Sequence, residues 1–176
     1  MSKGKIINLS FLLGIAVLIL VLTADFMVFL PMLSSEGNYE GLTGVITFPG
    51  LAVVFGGNHS ISSFLTIAGI TTSFSVEGEF KFNMIGLLAM LLPIVGAIFV
   101  LFNNFVTKKI HFFDIIGILL IVVGCVFCFF IKSDFAQVNE LNNDFKYGIG
   151  LILMIIFFGI SLVVALCKLF FVDFKK

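Results

Sequence analysis

Four long apolar runs dominate the pattern of hydrophobic and polar positions along this chain of 176 residues. They cover residues 6–25 (or 6–30), 83–102, 112–131 and 147–171. Each run approaches or exceeds the roughly 20 residues that a helix needs to cross about 30 Å of hydrocarbon. Pro31 ends the first run, since proline does not continue a helix. The pattern therefore predicts four transmembrane helices.

The first run follows Lys3 and Lys5, which is also how a secretory signal peptide begins. However, the run is longer than a typical signal-peptide core, and it continues through "FMVFL" after the weak cleavage-like triplet "LTA". We therefore expect a helix that is retained.

Composition supports a membrane protein, because 60% of the residues are hydrophobic and only 11% are charged. A typical soluble domain has about 25% charged residues. The formal net charge is zero, so no overall basic field indicates binding to nucleic acid. The chain has ten lysines and no arginine, and it is rich in Phe, which favours an AT-rich bacterial genome as its source.

Small residues recur on the predicted helices at spacings that place them on one face. Such residues let membrane helices approach closely. The predicted helix-packing positions are Ser10, Gly14, Gly117, Gly124, Cys128, Ser161 and Ala165. They favour a compact four-helix bundle.

Lysine placement predicts the orientation in the membrane, because lysine and arginine are enriched in cytoplasmic loops. Lys81, Lys132 and Lys146 fall on one side, and the other seven lysines fall on the opposite side with both termini and residues 103–111. We therefore predict a multi-pass protein of the cell membrane with both termini in the cytoplasm. Residues 1–176 would form one tetraspan domain, in which residues 31–82 are an extracellular loop.

The stretch "TTSFSVEGEFKFN" within this outer loop alternates apolar and polar residues, as a half-buried strand does. A two-residue turn at "EG" would mix the two faces. A three-residue loop at "EGE" pairs Phe74 with Phe82 and Val76 with Phe80, and so keeps one face apolar. We therefore predict a hairpin with residues 77–79 at its tip.

Other parts of the outer segments are also β-like. "VITFPGLAVVF" reads either as a wide hairpin or as a strand followed by an interfacial segment, and "FGGNHS" reads as a loop. The second outer loop, residues 132–146, would cap one edge of a sheet. The predicted fold is an all-α membrane protein with a small β element: a four-helix transmembrane bundle with an extracellular antiparallel sheet, whose apolar face rests on the bundle or the membrane.

Four spans, cytoplasmic termini and a sheet-forming first outer loop of about fifty residues resemble the architecture of the claudin-like tetraspans. The first-loop signature of that family combines tryptophan with two cysteines. This chain has no tryptophan, and its three cysteines lie outside the loop. The resemblance therefore implies an architecture only, without residue roles or a junction-forming activity.

Few residues offer chemistry. Cys125 and Cys128 form a Cys-x-x-Cys pair similar to that of quinone-linked thiol oxidoreductases, but no second thiol pair lies in a predicted outer loop. We interpret the two cysteines as packing residues. Asp25 falls near the outer interface, where we expect a solvated or helix-end position. His59 and His111 fall on opposite sides of the membrane. We predict no catalytic residues, no cofactor and no metal.

The sequence therefore predicts a non-catalytic scaffold or an accessory or assembly subunit. Its partners would be the lipid bilayer and other membrane proteins or further copies of itself, and not nucleic acid. The predicted interaction residues are Glu77, Gly78, Glu79, Phe80 and Phe82. Two alternatives remain: a transport or channel component that acts as an oligomer or with a partner subunit, and a thiol oxidoreductase that uses Cys125 and Cys128.

Overall fold

A computed structural model describes residues 3–39, 42–67, 70–105, 111–141 and 144–173. Within these ranges, four helices are long and apolar enough to cross a membrane, which confirms the predicted spans. The helices are α1 (Lys3–Phe26), the short α2 (Gly50–Phe55), α3 (Met84–Phe102), α4 (Phe112–Val138) and α5 (Ile149–Cys167). Helix α4 continues seven residues past the predicted end at Ile131.

The chain forms two compact units. The helical unit comprises Met1–Asp25, Leu88–Phe127 and Met154–Lys176. The sheet unit comprises Phe26–Leu87 and Cys128–Leu153.

In the helical unit, α3 and α4 approach so closely that their backbones leave no room for side chains at the contact. A Cβ atom added to Gly96 would lie 2.5 Å from the carbonyl oxygen of Gly117, and the reverse distance is the same. The same two helices also meet at a second point, where a Cβ atom on Gly124 of α4 would overlap the ring of Pro93 of α3. Dispersion contacts and close packing hold membrane helices together here, since lipid provides no hydrophobic driving force between them.

Helix α1 packs against the other end of α3 in the same unit. A Cβ atom on Gly14 would lie 3.2 Å from Leu101, and the Ser10 hydroxyl donates a 2.6 Å hydrogen bond to the side-chain oxygen of Asn104. Ser161 and Ala165 on α5 are also buried.

The sheet unit contains one antiparallel sheet of five strands, in the order β4-β3-β2-β1-β5. The strands are β1 (Pro31–Tyr39), β2 (Leu42–Pro49), β3 (Gly57–Ile67), β4 (Ile70–Phe80) and β5 (Phe145–Tyr147). Four strands come from the predicted first loop. The fifth comes from the second loop and pairs with Leu33–Ser35, so the second loop does cap one edge.

The predicted hairpin with its tip at residues 77–79 is wrong. Glu77, Gly78 and Glu79 lie inside β4, opposite Ser60, His59 and Asn58 of β3. The two strands instead pair up to Ile67 and Ile70, and residues 68–69 between them lie outside the described ranges. Even-numbered residues of β4 still share one face, so the predicted grouping of Phe74, Val76 and Phe80 holds although the predicted turn does not.

The structure decides two further predictions for the segments near Pro49. The segment "VITFPGLAVVF" is a strand followed by a short helix, α2, and not a wide hairpin. The expected loop "FGGNHS" is wrong from Gly57 onward, because those residues begin β3. Gly56 links α2 to β3 with a φ of +65°, and a Cβ atom there would lie 2.7 Å from the carbonyl carbon of Lys81, so only glycine fits.

An aromatic cluster covers one end of the apolar face of the sheet. Phe135 of α4, which is fully buried, lies 5.6 Å from Phe48, 5.7 Å from Phe80 and 5.8 Å from Phe145 between ring centroids. Most of these rings meet edge to face, the arrangement that aromatic quadrupoles favour.

Candidate functional site

An exposed row of apolar side chains is the most prominent surface feature of the sheet unit. Cross-strand pairing places Ile46, Phe74 and Val76 on the same face as the buried Phe48. Phe74 is 48% exposed and Val76 is 45% exposed, whereas Phe48 is 6% exposed. We call Ile46, Ile70, Phe74 and Val76 the apolar row.

The opposite face of the same strands is mostly polar, although Phe64, which pairs with Ser73, is 40% exposed on it. Ser73, Ser75, Glu77 and Glu79 alternate with the apolar row along β4, and all four are exposed. On the neighbouring β1 and β5, Lys146 forms an exposed 2.5 Å ion pair with Glu36. The sheet therefore has two chemically distinct faces.

The interaction residues predicted from sequence do not form one patch at a turn. Glu77 and Glu79 lie on the polar face of β4, and Gly78 lies against the ring of Phe80. Phe80 belongs to the aromatic cluster, while Phe82 follows the end of β4 and is 44% exposed. Ile46 and Ile70 were not predicted as members of this face. Ile70 belongs to it by alternation along β4, whereas Ile46 joins it only through strand pairing.

The helical unit contains a buried polar cluster. The ammonium group of Lys168 lies 2.6 Å from a carboxylate oxygen of Asp114, and these side chains are 0% and 1% exposed. Asn103 donates a hydrogen bond to the other carboxylate oxygen. Asp114 occupies the first turn of α4 and Lys168 follows the last residue of α5, so both charges complement the helix dipoles.

This ion pair was not predicted from the sequence, in which Lys168 served only as one of the lysines that indicate the cytoplasmic side. The available signal was the position of Asp114 and Lys168 at opposite ends of apolar runs: an acid at a helix start and a base at a helix end suit each other when the helices are antiparallel neighbours. A buried ion pair of this kind fixes the position of one helix relative to the other.

Asp25 is the third buried charged residue of the described helices, beside Asp114 and Lys168. It is 8% exposed, and neither of its carboxylate oxygens has a hydrogen-bond partner among the described residues. The expectation of a solvated carboxylate is therefore wrong, although Asp25 does lie at the end of α1.

The cysteines and histidines do not assemble a site in the described part of the chain. Within the described ranges, Cys125, Cys128 and Cys167 form no disulfide, and Cys128 is buried within α4. Among the described residues, no group of three or more His, Cys, Asp or Glu side chains is placed to hold a metal ion.

The buried ion pair generates a stability prediction. Lys168→Met should destabilise the protein by roughly 3–5 kcal/mol, because it leaves the Asp114 charge buried without its partner. The double variant Lys168→Met with Asp114→Leu should recover part of that loss. Thermal unfolding in mild detergent measures both effects.

The exposed pair of Lys81 and Glu140 provides the control. Its atoms lie 3.0 Å apart, but the side chains are 62% and 83% exposed. Lys81→Met should leave the melting temperature nearly unchanged, since exposed ion pairs contribute little. Equal effects of Lys168→Met and Lys81→Met would contradict a structural role for the buried pair.

Comparison with protein-family models, with curated proteins and with solved structures found no match to this chain.

Proposed function

We propose that this chain is a non-catalytic scaffold or accessory subunit of a cell membrane, and that it binds a partner protein through the apolar row of its sheet. The observation that supports this proposal is the difference in exposure along one face. On the same face, the side chain of Phe48 is buried, whereas those of Phe74 and Val76 are exposed.

The contrast has a local cause. Phe135 of α4 covers the part of the face formed by Phe48, Phe80 and Phe145, and Leu33 beside Phe48 is fully buried. Strands β3 and β4 continue past this cluster for several residues, and among the described residues no aromatic ring of the cluster covers Phe74 or Val76. Soluble surfaces rarely keep contiguous apolar patches exposed, and patches with a polar surround mark interaction sites.

The chemistry of the row suits a protein partner. Phe74 and Val76 present rigid apolar groups, while Ser63 between them and Ile46 provides a small buried neighbour. Covering the exposed halves of Phe74 and Val76 would contribute roughly 1 kcal/mol each. Aromatic anchors inside a polar rim are the usual composition of a binding hot spot.

We further propose that both termini lie in the cytoplasm and that the sheet lies on the opposite side of the membrane. The lysine distribution supports this orientation. A reporter enzyme that works only in the cytoplasm should be active when it is fused to the C-terminus. Activity at that position of a reporter that works only outside the cytoplasm would reverse the proposed orientation.

Site-specific photo-crosslinking tests the binding role. A photoreactive phenylalanine analogue is placed at position 74 or 76 on the apolar row, or at position 73 on the polar face as a control. In living cells, positions 74 and 76 should give covalent adducts with a protein other than this chain, and position 73 should give at least several-fold less of such adducts. Adducts are identified by mass spectrometry, so a second copy of the chain is distinguished from a different protein.

Two results would contradict this function. If positions 74 and 76 react only with lipid, the row rests on the membrane and does not bind a protein. If position 73 gives as much adduct with a protein other than this chain as positions 74 and 76 do, the apolar face is not the binding surface. Normal melting temperatures of the substituted proteins establish that the sheet is intact in each case.

Asp25, whose carboxylate has no hydrogen-bond partner among the described residues, favours transport as a second candidate function. A carboxyl group in a membrane-spanning helix without a hydrogen-bond donor is a group that can take up a proton or a cation. Transport does not involve the apolar row. The photo-crosslinking experiment therefore tests the scaffold proposal and does not test transport.

A further inference from the structure

The two edges of the five-stranded sheet differ strongly. One edge is β5, which has three residues, includes Lys146 and is followed directly by α5. The other edge is β4, which has eleven residues and pairs with β3 alone among the described strands. A strand edge carries a row of unpaired backbone N–H and C=O groups that can template another strand.

Strand β4 lacks most of the devices that protect edge strands. It contains no proline and no lysine, and its pairing with β3 runs through eleven consecutive residue pairs without a bulge. Short length, lysine, proline and bulges are the usual protections. The one protective feature is the pair of carboxylates at Glu77 and Glu79.

The sequence of β4 matches itself in the antiparallel direction. When two copies pair with Ser75 opposite Ser75, every apolar side chain of the strand faces another apolar side chain, and Thr72 faces Gly78. The opposed pairs are Ile70 with Phe80, Thr71 with Glu79, Thr72 with Gly78, Ser73 with Glu77, and Phe74 with Val76. Both faces of the sheet therefore continue unbroken from one copy into the next.

This register also gives both carboxylates of β4 a favourable residue opposite them. Glu77 faces the hydroxyl group of Ser73, and Glu79 faces that of Thr71, so each carboxylate has a hydrogen-bond donor opposite it. A shift that centres the pairing on Glu77 would place two like charges directly opposite each other. A register shift of one residue between the two strands would place polar side chains opposite apolar ones.

We propose that two copies of this chain associate through their β4 strands, antiparallel and with Ser75 at the two-fold axis, to form a continuous ten-stranded sheet. This edge pairing goes beyond the proposed function, because it joins the backbone groups at the edge of β4, whereas the exposed surface of the apolar row remains available to a different partner.

Cysteine crosslinking tests the register. Ser75→Cys should form a disulfide-linked dimer upon mild oxidation in membranes, because the two residues are directly opposed. Ser73→Cys should not, since the two copies of residue 73 would be four positions apart along the strand, about 13 Å. Adding Glu77→Cys to Ser73→Cys should restore the dimer. The unsubstituted protein measures any background from Cys125, Cys128 and Cys167.

Charge substitutions at Ser73 provide a second measurement on a folded protein. Ser73→Lys would face Glu77 of the second copy and strengthen association, whereas Ser73→Glu would face a like charge and weaken it. Their dimerisation constants in detergent should differ on the order of tenfold at low salt and converge at high salt.

The outcomes separate this proposal from the proposed function. Crosslinking of Ser75→Cys but not of Ser73→Cys, with opposite effects of the two charged variants, supports the edge pairing. A monomer in every case, equal crosslinking at both positions, or equal effects of lysine and glutamate would overturn it. The proposed function is tested separately, because it requires adducts of positions 74 and 76 with a protein other than this chain, which edge pairing does not supply.

Discussion

The packing of Phe135 against the sheet is the interaction that determines what the sheet can bind. This one side chain of α4 meets rings from β2, β4 and β5, and it closes the apolar face where those strands converge. A sheet of amphipathic strands is stable only when one face is covered. Phe135 covers enough of the face to anchor the strands, and it leaves the outer part of β3 and β4 with apolar side chains in the open.

The helical unit satisfies a different constraint. In hydrocarbon, apolar side chains gain nothing by leaving lipid for another helix, so association depends on close backbone approach and on polar contacts. Gly96 and Gly117 supply the first. Asp114 and Lys168 supply the second, and their charges are tolerated because each has an opposite charge within hydrogen-bond distance. Asp25 lacks such a partner among the described residues, which sets it apart from the other buried charges.

Hydropathy and alternation predicted the helices and the existence of the sheet, because both signals are local and repeat over many residues. Pairing between strands could not be derived in the same way. The three-residue loop at 77–79 satisfied the apolar and polar pattern, but so does the observed pairing of β4 with β3, and the pattern alone does not distinguish them. The apolar row shows the same limit, since Ile46 reaches Phe74 only through Ser63 on an intervening strand. The ion pair of Asp114 and Lys168 joins residues 54 positions apart, a contact that only helix packing reveals.

The central claim is that a protein other than this chain covers the apolar row in the native membrane. The most direct measurement compares the rate at which N-ethylmaleimide modifies a Phe74→Cys variant in native membranes and in vesicles that contain only the purified protein and lipid, with Glu77→Cys on the polar face as the control. The account predicts slow modification of Phe74→Cys in native membranes and fast modification in the vesicles, with Glu77→Cys modified equally in both. Equal rates for Phe74→Cys in the two preparations, whether fast because nothing covers it or slow because lipid does, would contradict the account.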